Sequence, residues 1–472
     1  MKATTLDAYK LLHQGVIALS QVEANGMAVD MGYLKKVNKK INKQIAIKNE
    51  ELKEDKIIKI WKKRYGTNTN LDSNDQLGKI LFEDLGLKCP SYTDTGRFKT
   101  DESVLETLDV SFVKNYLEIK KLKKAQGTYL NGIIREVCNG FVHPVFNLHI
   151  AATFRSSSDS PNFQNMPIRN PEIAKLIRRC FIPRASNRHL VESDYGGIEV
   201  HGAAWYHKDP TMMTYLNDST KDMHRDMATQ CYKLSKREMT ALKGDKEDAK
   251  RIKDIRFCGK NMFVFPEFYG AWWFSCAPNL WSAIDQSNLR TRKGLTLKEH
   301  LDSKGIDCLG ALNLDEHHGD NTFLNHIKKV EWHFWNKRFS VYKKWKDQWY
   351  ENYLKRGYFD TLTGFRIEGM LDRKKVINYP VQGVAFHCLL WSLIRVQKQL
   401  KKYKMKSLIV GQIHDSIIGD VVDKELKNYM EIVNQVMVVD IKKHWKWITT
   451  PIEIEIEVAP AGKSWWHKEK VA

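Results

Sequence analysis

The segment Leu408-Ile409-Val410-Gly411-Gln412-Ile413-His414-Asp415-Ser416-Ile417-Ile418-Gly419-Asp420 constrains the fold more than any other part of the chain. Two apolar runs flank a His-Asp pair, and each has the length and branched side chains of a buried strand. That places Asp415 at the tip of a hairpin between buried strands. A carboxylate there is costly to desolvate unless something pairs with it, and a divalent cation is one such partner. The run His189-Leu190-Val191-Glu192-Ser193-Asp194 puts a second aspartate at a strand end. Two strand-end aspartates far apart in sequence can share one pair of metal ions. Phosphoryl transfer by two metals needs carboxylates that hold the ions about 3.5–4 Å apart, and magnesium takes only one or two protein carboxylates. Asp194 and Asp415 meet that requirement. Many aspartates would, so the pair alone is a weak signal.

The charge balance narrows the partner. Lys and Arg number 76 against 56 for Asp and Glu, a net charge of +20 over 472 residues. Such an excess favours polyanions through electrostatic steering and counterion release; a soluble protein with basic faces is the plainer reading. The 8 cysteines form no C-x-x-C pair, which suits a reducing compartment and argues against a zinc module. No run reaches about 18 consecutive apolar residues, so no membrane span is expected. The N-terminus lacks an apolar signal core. The expected location is intracellular, in the host cytoplasm if the chain is phage-encoded.

Along the chain, residues 6–57 are expected to be helical, interrupted at Asn25-Gly26, with Lys35, Lys36, Lys39, Lys40 and Lys43 crowding the second segment. Those lysines suit either a solvated face or a phosphate-contacting one. Asp72-Ser73-Asn74-Asp75 signals a helix start, and a further helix is expected over 102–135. Strand-like runs lie near 141–151, 178–194, 406–421 and 450–459, on both sides of a lysine- and aromatic-rich helical stretch over 205–360. The expected architecture is α+β, one central sheet with helical lobes projecting from it. Trp335, Phe339, Tyr342, Trp345 and Trp349 recur near helical spacing, as a buried helix face requires.

The surroundings of the two aspartates sharpen this. Asp194-Tyr195-Gly196-Gly197-Ile198-Glu199 resembles the D-Y-S-Q-I-E motif of family A DNA polymerases, and Gln412-Ile413-His414-Asp415 resembles the V-H-D-E motif of the same family. Upstream, Ala151-Ala152-Thr153-Phe154-Arg155-Ser156-Ser157-Ser158 is similar to T-A-T-G-R-L-S-S, and Pro161-Asn162-Phe163-Gln164-Asn165-Met166-Pro167 to P-N-L-Q-N-I-P. Asn378-Tyr379-Pro380-Val381-Gln382-Gly383-Val384-Ala385 matches N-x-P-x-Q-G-x-A, and the run from Gln76 to Leu87 is similar to Q-L-x-x-x-L-F-x-x-L-G-L. Any one could be chance; all of them in family order are not. Val22–Asp30 looks like the segment just before the thumb, and Gly462-Lys463-Ser464-Trp465 like the closing G-x-x-W.

The resemblance implies a right-hand polymerase fold with an antiparallel-sheet palm, a helical thumb and helical fingers. The corresponding divisions are a palm entry segment over 1–30, a thumb over 31–140, palm over 141–204 and 376–472, and fingers over 205–375. It implies a bare polymerase module, with any 3′–5′ exonuclease or processivity factor on another chain. It further implies primer–template DNA and dNTPs as partners and two Mg²⁺ ions held by Asp194, Asp415 and the Tyr195 carbonyl. The loose motif spellings, short thumb and missing exonuclease sequence suggest a phage replicative enzyme.

Individual roles follow from the same resemblance. Glu199 would be the steric gate against a ribose 2′-hydroxyl, its plainer alternative being a first-turn glutamate favoured by the helix dipole. Arg256-Phe257-Cys258-Gly259-Lys260 onward resembles R-x-x-x-K-x-x-x-F-x-x-x-Y-G, which contacts the incoming nucleotide. Arg256 and Lys260 would grip the triphosphate, with Lys260 protonating pyrophosphate, and Phe265 and Tyr269 would stack on the base. His224 resembles a histidine that reaches the triphosphate; a lone surface histidine is the competing view. Asn378 belongs with the DNA-contacting set, in which Arg155, Asn165, Gln382 and His414 would read minor-groove acceptors. These acceptors test geometry rather than sequence.

The chain also departs from the pattern. Lys260 to Phe265 is five residues rather than four, about 140° apart on a regular helix. Pro266 cannot donate to the ladder, so a kink or bulge is expected to restore the face; Val264 or Phe268 are the alternatives. Gly196-Gly197 replaces Ser-Gln, removing a side chain that orders Glu199. Ser416 replaces a helper Glu, Phe154 replaces Gly, and His201 replaces Arg. A non-catalytic primer–template binder, a two-metal nuclease and a related RNA polymerase are the other readings. Retention of Asp194, Asp415, Arg256 and Lys260 together, the lack of a further carboxylate cluster, and Glu199 speak against them in turn. Glu316–Asp320 is expected to be a polar loop.

Overall fold

The apolar runs around Asp415 pair with each other at one side of a five-stranded antiparallel sheet. This is seen in a computed structural model that describes residues 3–89, 92, 93, 95–167, 170–313 and 318–471. The strands are β1 (Arg188–Tyr195), β2 (Leu408–Ile413), β3 (Ser416–Val422), β4 (Ile454–Val458) and β5 (Glu469–Lys470), in the order β5-β4-β1-β3-β2. Strand β3 is buried along nearly its whole length, which is why Ile417-Ile418 and Val421-Val422 run together rather than alternate with polar residues; its buried Asp420 is paired with Arg188.

The two faces of the sheet feed different cores. Val191, Tyr195, Ile409, Ile417 and Val421 pack with the helices Thr5–Asn25 and Arg373–Lys402. Leu190, Val410 and Ile418 face a second core with Phe163, Phe181 and Trp465. Trp465 closes that core. Its ring lies between Phe163 and Phe181, at 5.7 and 5.9 Å, and its Nε1–H donates to Glu192 at 2.8 Å.

Two helical lobes project from this base. In the first, the helix Met31–Lys53 starts at Asp30, whose carboxylate caps the Tyr33 N–H at 2.9 Å. It buries Leu34, Val37, Ile41 and Ile45 and leaves Lys35, Lys36, Lys39, Lys40 and Lys43 exposed. The second lobe is built on Phe263, Phe323, Phe334 and Phe339, all fully buried. The aromatic stripe packs as expected: Trp335, Phe339 and Tyr342 are buried, while Trp345 and Trp349 are half-buried and stack at 5.3 Å.

Several expectations are corrected in detail. The strand-like runs do not all join one sheet. Met27–Val29, which falls inside the stretch expected to be helical, pairs with Phe141–Val142 and Phe181–Ile182 in a separate three-stranded sheet. Val145–Asn147 pairs with Ser157–Asp159. The helix expected over 102–135 is broken into Glu102–Leu105, Ser111–Lys124 and Asn131–Glu136, because the backbone at Val110 is extended and a wide turn over Ala125–Leu130 interrupts the regular ladder. The polar loop Glu316–Asp320 falls partly outside the described residues; His318 within it packs edge-on to Trp273 at 5.7 Å. Among the described residues, no helix is long and apolar enough to cross a membrane.

Candidate active site

Strand pairing brings the two aspartates together. Ser416 lies opposite Asp194 in the β1–β3 register, and Glu455 lies opposite Asp194 on the other side. His414 and Asp415 form a two-residue turn between the paired Ile413 and Ser416. His414 adopts φ 47° there, a left-handed conformation that costs a non-glycine residue roughly 1 kcal/mol. The Tyr195 N–H donates to the Asp415 carbonyl at 3.2 Å, locking the hairpin tip beside the end of β1. The Tyr195 hydroxyl bonds Ser392 and the Met437 carbonyl in the core at 2.8 and 3.0 Å, so only the backbone of Tyr195 is left to serve the site.

The pair is short of positive charge. Asp194 is reached by solvent but faces a crowded concave cleft; that burial, then repulsion from Asp415, pushes its carboxyl up to about 7. Burial, then repulsion from Glu199, pushes Asp415 up to about 6, with Arg155 opposing. The Asp415 Oδ1 is buried and has no hydrogen-bond partner among the described residues. Two raised carboxylates, an orphaned buried oxygen and a neighbouring backbone carbonyl make an all-oxygen donor set, which fits a hard divalent cation such as Mg²⁺. Among the described residues, no group of three or more His, Cys, Asp or Glu is placed to hold a metal.

The hairpin tip has a support that the sequence reading gave no role. The Gln412 Oε1 accepts from the Ser156 hydroxyl and the Gln164 amide, both at 2.8 Å, and the Gln412 Nε2 donates to the His414 carbonyl at 2.8 Å. Ser156 and Gln164 stand inside the two upstream motifs, so the motif matches were the available signal. Glycine is needed at Gly383, where a Cβ would meet the Thr153 carbonyl at 2.9 Å. Phe154, which stands where the family has glycine, keeps a glycine-like φ of 56° and packs on Phe365 at 4.8 Å.

Glu199 sits in the first turn of the helix Ile198–His207, which β1 enters through Gly197 at φ +61°. Losing the Ser-Gln side chains does not leave Glu199 loose. Arg155 donates to its Oε1 at 3.2 Å and the Tyr269 hydroxyl donates to its Oε2. Burial raises the Glu199 carboxyl above its ordinary range, against the pull of Arg155. His201 is a structural residue here: it bonds Thr450 at 2.8 Å, and burial pushes it down to about 4, so it is neutral.

The second lobe supplies the opposite charge. Arg256 ends the helix Lys246–Gly259 and pairs with Asp222 at 2.5 Å. A π-helical turn follows over Lys260–Val264, closed by the Phe265 N–H donating to the Lys260 carbonyl five residues back. This wide turn takes up the extra residue. The Lys260 Nζ consequently lies 4.9 Å from the Phe265 ring centroid, with the Tyr269 ring 6.5 Å beyond. The alternatives point inward: Val264 is fully buried and Phe268 packs among Phe334, Trp335, Phe339 and Tyr342. His224 meets the Phe265 ring edge-on at 5.5 Å. Burial, with Arg256 and Lys260 nearby, pushes His224 down to about 4, and its Nδ1 is buried without a partner among the described residues. Burial and Arg256 also lower Lys260. An anion bound beside His224 and Lys260 would favour their charged forms.

A cavity of about 180 Å³ joins the two halves, lined by Glu199, Phe265, Tyr269, Asn378 and Asp415 among others. Asn378 donates to the Tyr269 carbonyl at 3.3 Å. Gln382 follows one turn later on the helix Arg373–Lys402 and is half-buried. Asn165 is exposed on the short turn Phe163–Asn165, and His414 is exposed at the hairpin tip. Among the described residues, no side-chain hydrogen bond ties Asn165 or Gln382 to the rest of the set. Arg155 is brought to Glu199, a contact not foreseen from the motifs; nor was the pairing of Arg256 with Asp222.

Known proteins resemble the chain over most of its length. A family model described as DNA polymerase family A matches residues 33–259 and 330–467. The chain is 27% identical over 468 residues to the DNA polymerase I of Lactococcus lactis subsp. cremoris, a match covering 95% of this chain and 44% of that protein. It is 26% identical over 460 residues to the DNA polymerase I of Bacillus subtilis, with shares of 95% and 44%. The chain thus spans less than half the length of these relatives. Its fold matches a solved POL domain of Pol1 from M. smegmatis in complex with DNA primer-template and dNTP, with a TM-score of 0.71 at 22% identity, covering 96% of this chain and 70% of that one. With an antiparallel sheet carrying the paired aspartates and the family model matching most of its length, the chain belongs to DNA polymerase family A.

Proposed function

We propose that this chain is a template-directed DNA polymerase that extends a primer 3′-hydroxyl with dNTPs by two-metal phosphoryl transfer and releases pyrophosphate. The observation that carries the reading is the meeting of the two halves: Asp415, beside Asp194 on the sheet, lines one cavity with Phe265 and Tyr269 of the second lobe, and the Lys260 Nζ lies 4.9 Å from the Phe265 ring. Two Mg²⁺ ions, held by Asp194, Asp415 and the Tyr195 carbonyl, would supply acidity to the 3′-hydroxyl and neutralise charge on the departing phosphates.

The chain's own groups do the rest. Arg256 and Lys260 hold the triphosphate oxygens by charge-assisted hydrogen bonds, and neutral His224 adds an uncharged contact. Lys260, already lowered by burial and Arg256, gives its proton to the leaving pyrophosphate. Phe265 and Tyr269 cover the nascent base pair. Glu199, fixed between Arg155 and Tyr269, occupies the space a ribose 2′-hydroxyl would need. Asn165, Asn378, Gln382, His414 and Arg155 meet the duplex, the acceptor-reading members of the set testing pair geometry. We take residues 31–140 as thumb, 205–375 as fingers and the remainder as palm. The relatives described above are bacterial, so a place in phage replication rests on the loose motif spellings and the short thumb.

The test is single-nucleotide extension of a primed template with Mg²⁺. The wild type should extend and Asp415→Asn should abolish extension while keeping duplex affinity. Extension retained by Asp415→Asn would overturn the assignment.

A further inference from the structure

The second lobe carries a strongly basic groove away from the nucleotide cavity. It has a volume of about 870 Å³ and is lined by Lys233, Lys329, Lys337 and Arg338, with His326 and His333. None of the described residues lining it is acidic. Arg338 is held by the Tyr215 hydroxyl and by Asp226 at 3.9 Å. Lys329 pairs with Asp320 at 2.7 Å, but both side chains are largely in water, so the pair is screened. Among the described residues, Lys233 and Lys337 make no ion pair; Lys233 reaches only the Lys304 carbonyl, at 3.4 Å. His326 is held below its ordinary pKa by burial and is uncharged, its Nε2 facing the Gln230 and Cys231 carbonyls.

An aromatic ring stands at the edge of this groove. Trp332 is 53% exposed, more than a large aromatic usually is. The Lys337 Nζ lies 5.7 Å from its ring and His333 packs against it at 5.2 Å. The helix Met223–Cys231 separates groove from cavity. His224, near its start, faces Phe265, while Thr229 and Gln230, near its end, line the groove. Five residues on a helix turn the face by about 140° and advance it roughly 7.5 Å, so the groove lies close to the nucleotide cavity on another side of the lobe.

We propose that this groove binds a single-stranded DNA segment outside the primer–template duplex. Its lysines contact phosphates and Trp332 stacks on an unpaired base. A cationic channel alone would suit any polyanion. An exposed indole among the cations selects for bases whose faces are free, which a duplex does not offer. An acidic peptide would use the lysines and leave the ring without a task. The inference goes beyond the polymerase reading and depends on it only for where the strand comes from.

The experiment uses the full chain and hairpin primer–templates in three forms: a short template tail, a long single-stranded template tail, and a short template tail with a single-stranded 5′ flap. Affinity is read by fluorescence anisotropy over a range of salt, without nucleotide. The wild type should bind at least one long-strand form several-fold tighter than the short-tailed form, and the form that responds names the strand. In K233Q/K329Q/K337Q that advantage should disappear. The slope of log affinity against log salt should become shallower by about 2, because each phosphate contact on a single strand contributes about 0.7. Trp332→Ala should lose part of the advantage with no change in slope. Both variants should melt like the wild type and extend the short-tailed hairpin normally. The proposal is overturned if the wild type shows no long-strand advantage, or if both variants keep it. It is also overturned if the lysine variant loses affinity for a poly-glutamate peptide while keeping the strand advantage. Failure of the wild type to extend would sink the polymerase reading and leave the binding result standing.

Discussion

The sheet carries the paired aspartates and the second lobe carries Arg256 and Lys260, and the two hold their charges in different ways. On the sheet, Asp194 and Asp415 are placed by backbone register: a two-residue turn, a strand pairing and the bond from the Tyr195 N–H to the Asp415 carbonyl. Their side chains have almost no protein partners, and burial raises both. On the lobe, Arg256 and Lys260 are placed by a helix that changes its winding between them and Phe265, and Arg256 is tied by a side-chain pair to Asp222. On the proposed reading, the sheet would be the backbone-fixed side that takes cations and the lobe the side that takes an anion, and a magnesium-bound triphosphate would satisfy both at once.

Substitutions that act on one side only test this contrast. Lys260→Ala empties the lobe side of its acid and should lower the single-turnover extension rate by about 10²–10⁴ with duplex affinity unchanged. A loss confined to KM would make Lys260 a binder and not a proton donor. Gln412→Ala attacks the stiffness of the sheet side. It takes the acceptor from the Ser156 hydroxyl and the donor from the His414 carbonyl, while Gln164 keeps its bond to Ser156, so it should cost about 1–3 kcal/mol in denaturant unfolding and slow extension more than it weakens nucleotide binding. If the rate is untouched, the hairpin tip does not need its amide brace. Glu199→Ala cuts the bridge between the halves. Discrimination against ribonucleotides should fall on the order of tenfold or more, and unchanged sugar selectivity would count against the gate.

The smallest effect is one of pH. Asp194 and Asp415 are raised to about 7 and about 6, so between pH 4 and pH 7 these two groups bind more protons in the folded, metal-free chain than in the unfolded one. Their own contribution to stability therefore falls as pH rises through that window, while neutral buried histidines such as His201 and His224, lowered to about 4, act the other way. Mg²⁺ should raise the melting temperature more at pH 8 than at pH 5, by a few degrees. An equal shift at both values would mean the ions bind elsewhere.

How much of this was legible in the sequence differs between the halves for the same reason. The hairpin around Asp415 could be read because two continuous apolar runs leave few alternatives to paired buried strands. The wide turn could be anticipated because a five-residue spacing and Pro266 together forbid a regular helix with the required face. What stayed hidden depends on contacts between distant segments. The Gln412 brace joins Ser156, Gln164 and the hairpin, and no local pattern marks it. The grip of Arg155 and Tyr269 on Glu199 needs three segments folded together. The strand Met27–Val29 is three residues long and buried throughout, so no alternation marks it between its two helices.

The wide turn at Lys260–Val264 has a consequence for the history of the chain. A π-helical turn is a helix that has accepted one residue without passing the rotation on. Removing any one residue between Asn261 and Val264 would return the segment to ordinary winding and leave Arg256, Lys260, Phe265 and Tyr269 on the same side. At this point the chain can change length by one while the face carrying Lys260, Phe265 and Tyr269 keeps its aim, so the joint is a place where insertion and deletion are interchangeable.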